Sequence, residues 1–130
     1  MKILTVIGAR PQFIKSAVLS RIFAQQANCE EIVIHTGQHF DQNMSDIFFD
    51  EMKIPKPKYQ LTVQSTLHGA MTGQMMEGIE TIFLQEKPDV ALVCGDTNST
   101  LAGALVSGKL RIPLAHVEAG LRSFNRTMPE

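Results

Sequence analysis

Tryptophan is absent from the chain, tyrosine occurs once and cysteine twice. Cys29 and Cys94 lie far apart, the second inside an apolar run, so neither a structural disulfide nor a metal knuckle has support, and both read as reduced thiols. Blocks of basic residues are missing as well. With 12 Lys+Arg against 13 Asp+Glu the formal net charge is −1, which offers no bulk attraction to nucleic acid or to an anionic membrane. No apolar stretch approaches membrane-spanning length. The opening, Met1 to Gly8, is too short for the apolar region of a secretory signal and has no small-residue cleavage site, which predicts a cytoplasmic protein. His35, His39, His68 and His116 show no metal-ligand spacing, so no metal is expected. Neither the Rossmann glycine triplet nor the P-loop Gly-Lys-Ser/Thr occurs, which disfavours a dinucleotide or a cradled ATP. Internal repeats, low-complexity tracts and interdomain linkers are also lacking.

What remains is an ordinary globular composition, 130 residues of which 44% are hydrophobic, enough for one compact domain with a real core. Ile3 to Ile7 is a short β-branched run ended by Gly8, suited to a strand buried on both faces. A helix follows from Pro11, with Ile14, Ala17, Val18 and Ile22 as its expected inner stripe. Glu31 to Thr36 reads as a second strand. Asp41 to Met52 reads as a helix capped by Asp41, with Met44, Ile47, Phe48 and Met52 facing inward. After the Pro55 to Pro57 connector, Tyr59 to Val63 alternates like a short strand. His68 to Lys87 is the longest helical pattern, carrying Met71, Met75, Ile79, Ile82 and Phe83 inward, and Pro88 ends it. Asp89 to Gly95 is a buried strand, Thr97 to Lys109 a helix, and Ile112 to Val117 a last strand. Thr127 to Glu130 resembles the start of another helix, so the chain reads as a fragment of something longer.

Strands alternating with helices imply right-handed crossovers and a three-layer α/β fold around a mainly parallel, Rossmann-like sheet. In such sheets ligands bind beyond the carboxyl ends of the strands where strand order reverses. The informative residues should therefore follow Ile7, Thr36, Cys94 and Val117.

Arg10 and Lys15 put two cations at a helix N-terminus, where the macrodipole is already positive. With free backbone N–H groups, a close-approach Gly8 and the arginine fork, they suit a phosphate or pyrophosphate; the alternative is that both side chains extend into water. Asp96 follows a buried strand directly and is either functional or a helix cap, although Thr97, Asn98 and Ser99 could cap equally well. Alternation along Ile112 to Val117 would put His116 and Glu118 on one face, with Glu118 at the same sheet edge as Asp96. Two carboxylates at one mouth allow an acid and a base to work together; the alternative is a Glu118–Arg122 ion pair that holds the turn. Met71, Met75 and Met76 read as packing.

These stretches resemble the non-hydrolysing UDP-N-acetylglucosamine 2-epimerases. The matching segments are Gly8-Ala9-Arg10-Pro11-Gln12-Phe13-Ile14-Lys15, Thr36-Gly37-Gln38-His39, Lys87-Pro88-Asp89-Val90, Gly95-Asp96-Thr97-Asn98-Ser99-Thr100, and His116-Val117-Glu118-Ala119-Gly120-Leu121-Arg122-Ser123 with Met128-Pro129-Glu130. They span the chain in order, and the last pair is the most specific.

The resemblance implies that residues 1–130 are the N-terminal Rossmann-like domain of a two-domain glycosyltransferase-B-like fold, with the C-terminal domain absent. It also implies a homodimer and a cofactor-free reaction that inverts C2 of UDP-N-acetylglucosamine by eliminating and re-adding UDP, for surface and cell-wall polysaccharide precursors. By motif position the acidic catalytic residues fall on Asp96, Glu118 and Glu130, and substrate-binding residues on Arg10, Lys15, Gln38 and His39. Where many members carry a basic residue after the histidine, this chain has Phe40, and its Ser65 to Gly69 stretch differs from members activated by a second substrate molecule. The Gln38 to Ser45 and Arg122 to Asn125 patterns are similar to a branch that includes epimerases of UDP-2,3-diacetamido-uronic acids. A glycosyltransferase of the same fold, which would leave C2 untouched, and a nucleotide-binding module without chemistry are the competing readings. The 130-residue piece alone is expected to be inactive.

Overall fold

The computed structural model describes residues 1–38 and 46–128, with the side chains of residues 46–48 also outside the description. Five strands, β1 (Lys2–Ile7), β2 (Glu30–His35), β3 (Tyr59–Gln60), β4 (Val90–Cys94) and β5 (Leu114–Val117), alternate with helices α1 (Arg10–Ala24), α2 (Asp46–Met52), α3 (His68–Glu86) and α4 (Asn98–Leu110). The sheet has the order β3-β2-β1-β4-β5, and every pairing is parallel. The expected α/β architecture is observed. Strand order reverses between β1 and β4, so the carboxyl ends of those two strands flank the natural binding crevice.

Each central strand is apolar on both faces because helices cover both. Leu4, Val6, Ile32, Ile34, Ala91 and Val93 pack under Met75, Ile79, Ile82 and Phe83 of α3 and Ala102 and Val106 of α4. On the opposite face Ile7 and Val33 meet Phe13, Ala17, Phe49 and Ile54, while Ile3, Leu92 and Cys94 meet Leu19 and Phe23. The long helix is as its periodicity predicts. It stops at Lys87, which adopts the left-handed conformation at φ 50°, and Pro88 prevents continuation. Both cysteines are free, and burial pushes the Cys94 thiol up to about 11.

Three expectations need correction. Of the expected α1 stripe Ala17 is buried, but Ile14, Val18 and Ile22 are about half exposed, and the buried face consists of Gln12, Phe13, Ser16, Ala17 and Ser20. Ser16, Ala17 and Ser20 are small and let the helix lie close to β2 and β4, and proximity outweighs the apolar count in choosing the face. The strand over Tyr59 to Val63 shortens to two residues, since only Tyr59 and Gln60 stay in register with Ile34 and His35. The last strand begins at Leu114, and its first three residues are exposed. The predicted Asp41 cap and Met44 lie outside the described residues. Among the described residues no helix is long and apolar enough to cross a membrane.

At the amino ends of the strands one carboxylate joins three segments. Glu86, at the end of α3, accepts from Lys58 Nζ at 2.6 Å, Tyr59 Oη at 2.5 Å and Lys2 Nζ at 3.2 Å. Hydrogen bonds from Lys58, Tyr59 and Lys2 hold its carboxyl at about 2. On the other face His35 stacks on Phe13 with centroids 5.4 Å apart, and its Nδ1 accepts from the Gly37 N–H at 2.9 Å. That contact fixes the neutral tautomer with the proton on Nε2, and burial lowers its pKa.

Both groups destabilise the fold on acidification. Below the unfolded-state His pKa the unfolded chain takes up a proton that folded His35 resists, and below the ordinary carboxylate range the same holds for Glu86. The melting temperature is therefore expected to fall as pH drops below about 6.5 and again from about 4.5 towards 2. Glu86→Gln should flatten the lower step only. A melting temperature constant from pH 7 to pH 3 would contradict both assignments.

Candidate functional site

β1, β4 and β5 deliver their following residues to one cleft of about 640 Å³. Its polar lining includes Lys15 from α1, Gln38 after β2, Asp96 after β4, and His116 and Glu118 at the end of β5. His68 and Asn98 complete the polar wall, and Leu101, Ala104 and Leu121 form an apolar one.

The β4 corner shows why Asp96 is available. Gly95 turns the chain at φ +69°, a conformation natural to glycine, and Asp96 follows it exposed. The cap of α4 is Thr97, whose Oγ1 accepts from Thr100 N at 3.4 Å. Asp96 is thus free of the capping role that was its structural alternative.

Glu118 behaves differently from the alternation rule. It sits just past the end of β5 with φ 64°, in the left-handed region that costs a non-glycine residue about 1–3 kcal/mol. This turns its side chain away from the His116 face and toward α1, where Oε2 meets Lys15 Nζ at 2.5 Å. The expected shared face of His116 and Glu118 is corrected accordingly, although both line the cleft. The alternative ion pair to Arg122 is absent too: Arg122 Nη1 donates to the Ala119 and Leu121 carbonyls instead. His116 Nε2 donates to the Gly95 carbonyl at 2.6 Å, which ties the β5 and β4 corners together.

The head of α1 also differs from expectation. Gly8 N–H and Ala9 N–H both donate to Gln12 Oε1, at 2.8 and 3.1 Å, and Gln12 and Phe13 N–H donate to the Ala9 carbonyl. Pro11 has no N–H. The backbone donors expected to cradle an anion are therefore mostly occupied, and anion binding here rests on side chains. Gly8 does allow a close approach, but to the protein itself: a Cβ there would lie 1.9 Å from Ser99 Oγ and 2.5 Å from Thr36 Oγ1.

Gln38 lines the cleft, and its Oε1 accepts from Ser99 N at 3.1 Å and Ser99 Oγ at 2.7 Å. Arg10 opens α1 and is exposed, outside the cleft lining. His39 and Glu130 lie outside the described residues. Sequence reasoning overlooked Gln12, buried at 5% exposure. Its signal was present: a glutamine three residues after Ala9, at the third helical position, is the reach-back half of a capping box. His68, which has no metal-ligand spacing, lies 3.1 Å from the Asn98 amide on the cleft wall.

A family model described as UDP-N-acetylglucosamine 2-epimerase matches residues 21–130. A UDP-2,3-diacetamido-2,3-dideoxy-D-glucuronate 2-epimerase of Pseudomonas aeruginosa is 62% identical over 130 residues, all of this chain and 37% of that protein. A UDP-N-acetylglucosamine 2-epimerase homolog of Methanococcus maripaludis is 60% identical, again over the whole chain and 36% of the relative. Among solved structures, the Methanocaldococcus jannaschii UDP-GlcNAc 2-epimerase in complex with UDP-GlcNAc and UDP superposes with a TM-score of 0.92 at 52% identity, covering 100% of this chain and 36% of that one. The chain spans a little over a third of the length of the relatives it matches.

Proposed function

The chain belongs to the UDP-N-acetylglucosamine 2-epimerase family, and from that premise we propose that the whole protein interconverts a UDP-2-acetamido sugar and its C2 epimer without a cofactor. Residues 1–130 would be the N-terminal of two glycosyltransferase-B-like domains. A base takes the C2 proton, the freed electron pair forms the C1–C2 double bond, and the C1–O bond breaks with its pair to UDP. Re-addition of the UDP oxygen to C1, with a proton delivered to the opposite face of C2, completes the inversion.

The observation that carries this reading is the meeting of Lys15, Asp96 and Glu118, from three separate segments, on one cleft at the point of strand reversal. Lys15 would balance the charge that develops on the departing diphosphate, with Arg10, exposed at the head of α1, as a second cation. Asp96 and Glu118, with Glu130, would handle protons at C2, and Gln38 and His39 would contact the substrate. The C-terminal domain would close the cleft and exclude water, so the isolated chain would not turn over. A cytoplasmic homodimer supplying surface polysaccharide precursors fits this activity.

A second substrate is favoured by one observation: the 62% identical relative is a UDP-2,3-diacetamido-glucuronate 2-epimerase. Incubating the full-length protein in heavy water with each sugar nucleotide tests both readings. Deuterium at C2 of UDP-N-acetylglucosamine supports the first and of the diacetamido-uronate the second. Acceptor-dependent UDP release without C2 exchange would instead reveal a glycosyltransferase.

A further inference from the structure

We infer that Gln12 is a positioning residue, a buried side chain that holds the cation-bearing head of α1 in register with the Asp96 corner. The inference rests on the epimerase reading and adds to it a residue that touches neither acid nor cation. Gln12 uses both ends of its amide. Oε1 accepts from Gly8 N at 2.8 Å and Ala9 N at 3.1 Å. Nε2 donates to the Cys94 carbonyl at 2.7 Å and to Thr97 Oγ1 at 3.0 Å.

The first pair of contacts fixes the β1–α1 corner from which Arg10 and Lys15 project. The second fixes the β4–α4 corner on either side of the Gly95–Asp96 pair, with Cys94 before it and Thr97 after it held by the same Nε2. The separation in sequence is 82 and 85 residues. Without Gln12 the buried Gly8 N–H loses its partner beneath α1, a costly loss for a buried donor, whereas the Cys94 carbonyl retains the Thr100 hydroxyl at 2.7 Å. An apolar side chain of the same length would fill the space and replace none of the four contacts; Cys94 and Thr97 would stay bonded to Thr100, but nothing would tie their corner to Gly8 and Ala9. The two corners would then be free to shift relative to each other, and a misplacement near 1 Å can cost on the order of 10²-fold in rate.

The test compares wild type, Gln12→Met and Gln12→Glu in the full-length protein, with rates expressed per folded molecule from the stoichiometry of UDP binding. Gln12→Met is expected to melt a few degrees lower and to lose about 10²-fold in kcat, with KM changing much less, because the diphosphate still meets Lys15. Gln12→Glu keeps an acceptor for Gly8 and Ala9 but cannot donate to Cys94 and Thr97, so its kcat should fall between the other two. A residue that only stabilised the fold would lower the melting temperature and leave kcat per folded molecule at the wild-type value; that result for Gln12→Met overturns the inference. Should Gln12→Met fail to fold, the same outcome for Gln12→Glu overturns it. Failure of the functional reading looks different, since wild type itself would then exchange no C2 proton.

Discussion

Glu118→Gln in the full-length protein is expected to lower kcat about 10²–10⁴-fold, the usual range for loss of a positioned acid or base, while leaving the fold intact. The expectation about folding follows from the surroundings. The Lys15 side chain is 51% exposed and that of Glu118 25% exposed, and ion pairs open to water contribute about 0–1 kcal/mol. The exchange to an isosteric amide removes charge and basicity and little else. The left-handed backbone at residue 118 is unchanged, so the amide would occupy the same site. Deuterium incorporation at C2 should fall in step with kcat if Glu118 moves the proton. A loss below tenfold would assign Glu118 to turn geometry and leave the acid–base work to Asp96 and Glu130.

Lys15→Met is expected to cost about 10²–10³-fold in kcat, the range seen when one donor to a developing anion is removed, and to raise KM as well. The lysine has two roles in the proposed reaction, and both are lost together. It would compensate the leaving diphosphate, and it neutralises Glu118 before substrate arrives. Lys15→Arg keeps the charge on a planar fork instead of a compact ammonium, so partial recovery is expected. Lys15 and Glu118 are each other's partner, so the double variant Lys15→Met with Glu118→Gln should lose less than the product of the single losses. Full additivity would mean that the 2.5 Å contact plays no part in turnover.

The order of strands and helices was readable because apolar runs of period two and period 3.6 are separated by glycine and proline: Gly8, Gly37, Pro88 and Gly95 each close an element. Met75, Ile79, Ile82 and Phe83 are buried as their spacing predicts, since α3 crosses the sheet and has one inner face. The α1 face was not readable by counting apolar residues. Its inner surface is built from Phe13 together with Gln12, Ser16, Ala17 and Ser20, and burial of small polar side chains depends on a sheet that only the folded chain supplies.

The site divides along the same line. Asp96, Glu118, Lys15 and Gln38 follow strand ends, and a parallel sheet brings strand ends together, so their convergence on one cleft was foreseeable. The direction of the Glu118 side chain was not, because a single left-handed residue reverses the alternation on which the expectation relied. The engagement of Gly8 and Ala9 by Gln12 was legible in its capping-box spacing, whereas its contacts with Cys94 and Thr97, 82 and 85 residues away in sequence, were not. Nothing local marks Thr36 and Ser99, which meet at 2.7 Å beneath Gly8.

Adding UDP to the isotope-labelled chain while following its backbone amide resonances probes the central claim most directly. Saturable shifts confined to residues 8–15, 37–39, 95–98 and 116–122, abolished in Lys15→Met, are the predicted result. Shifts scattered over the surface, or clustered at the amino ends of the strands around Glu86, would contradict it.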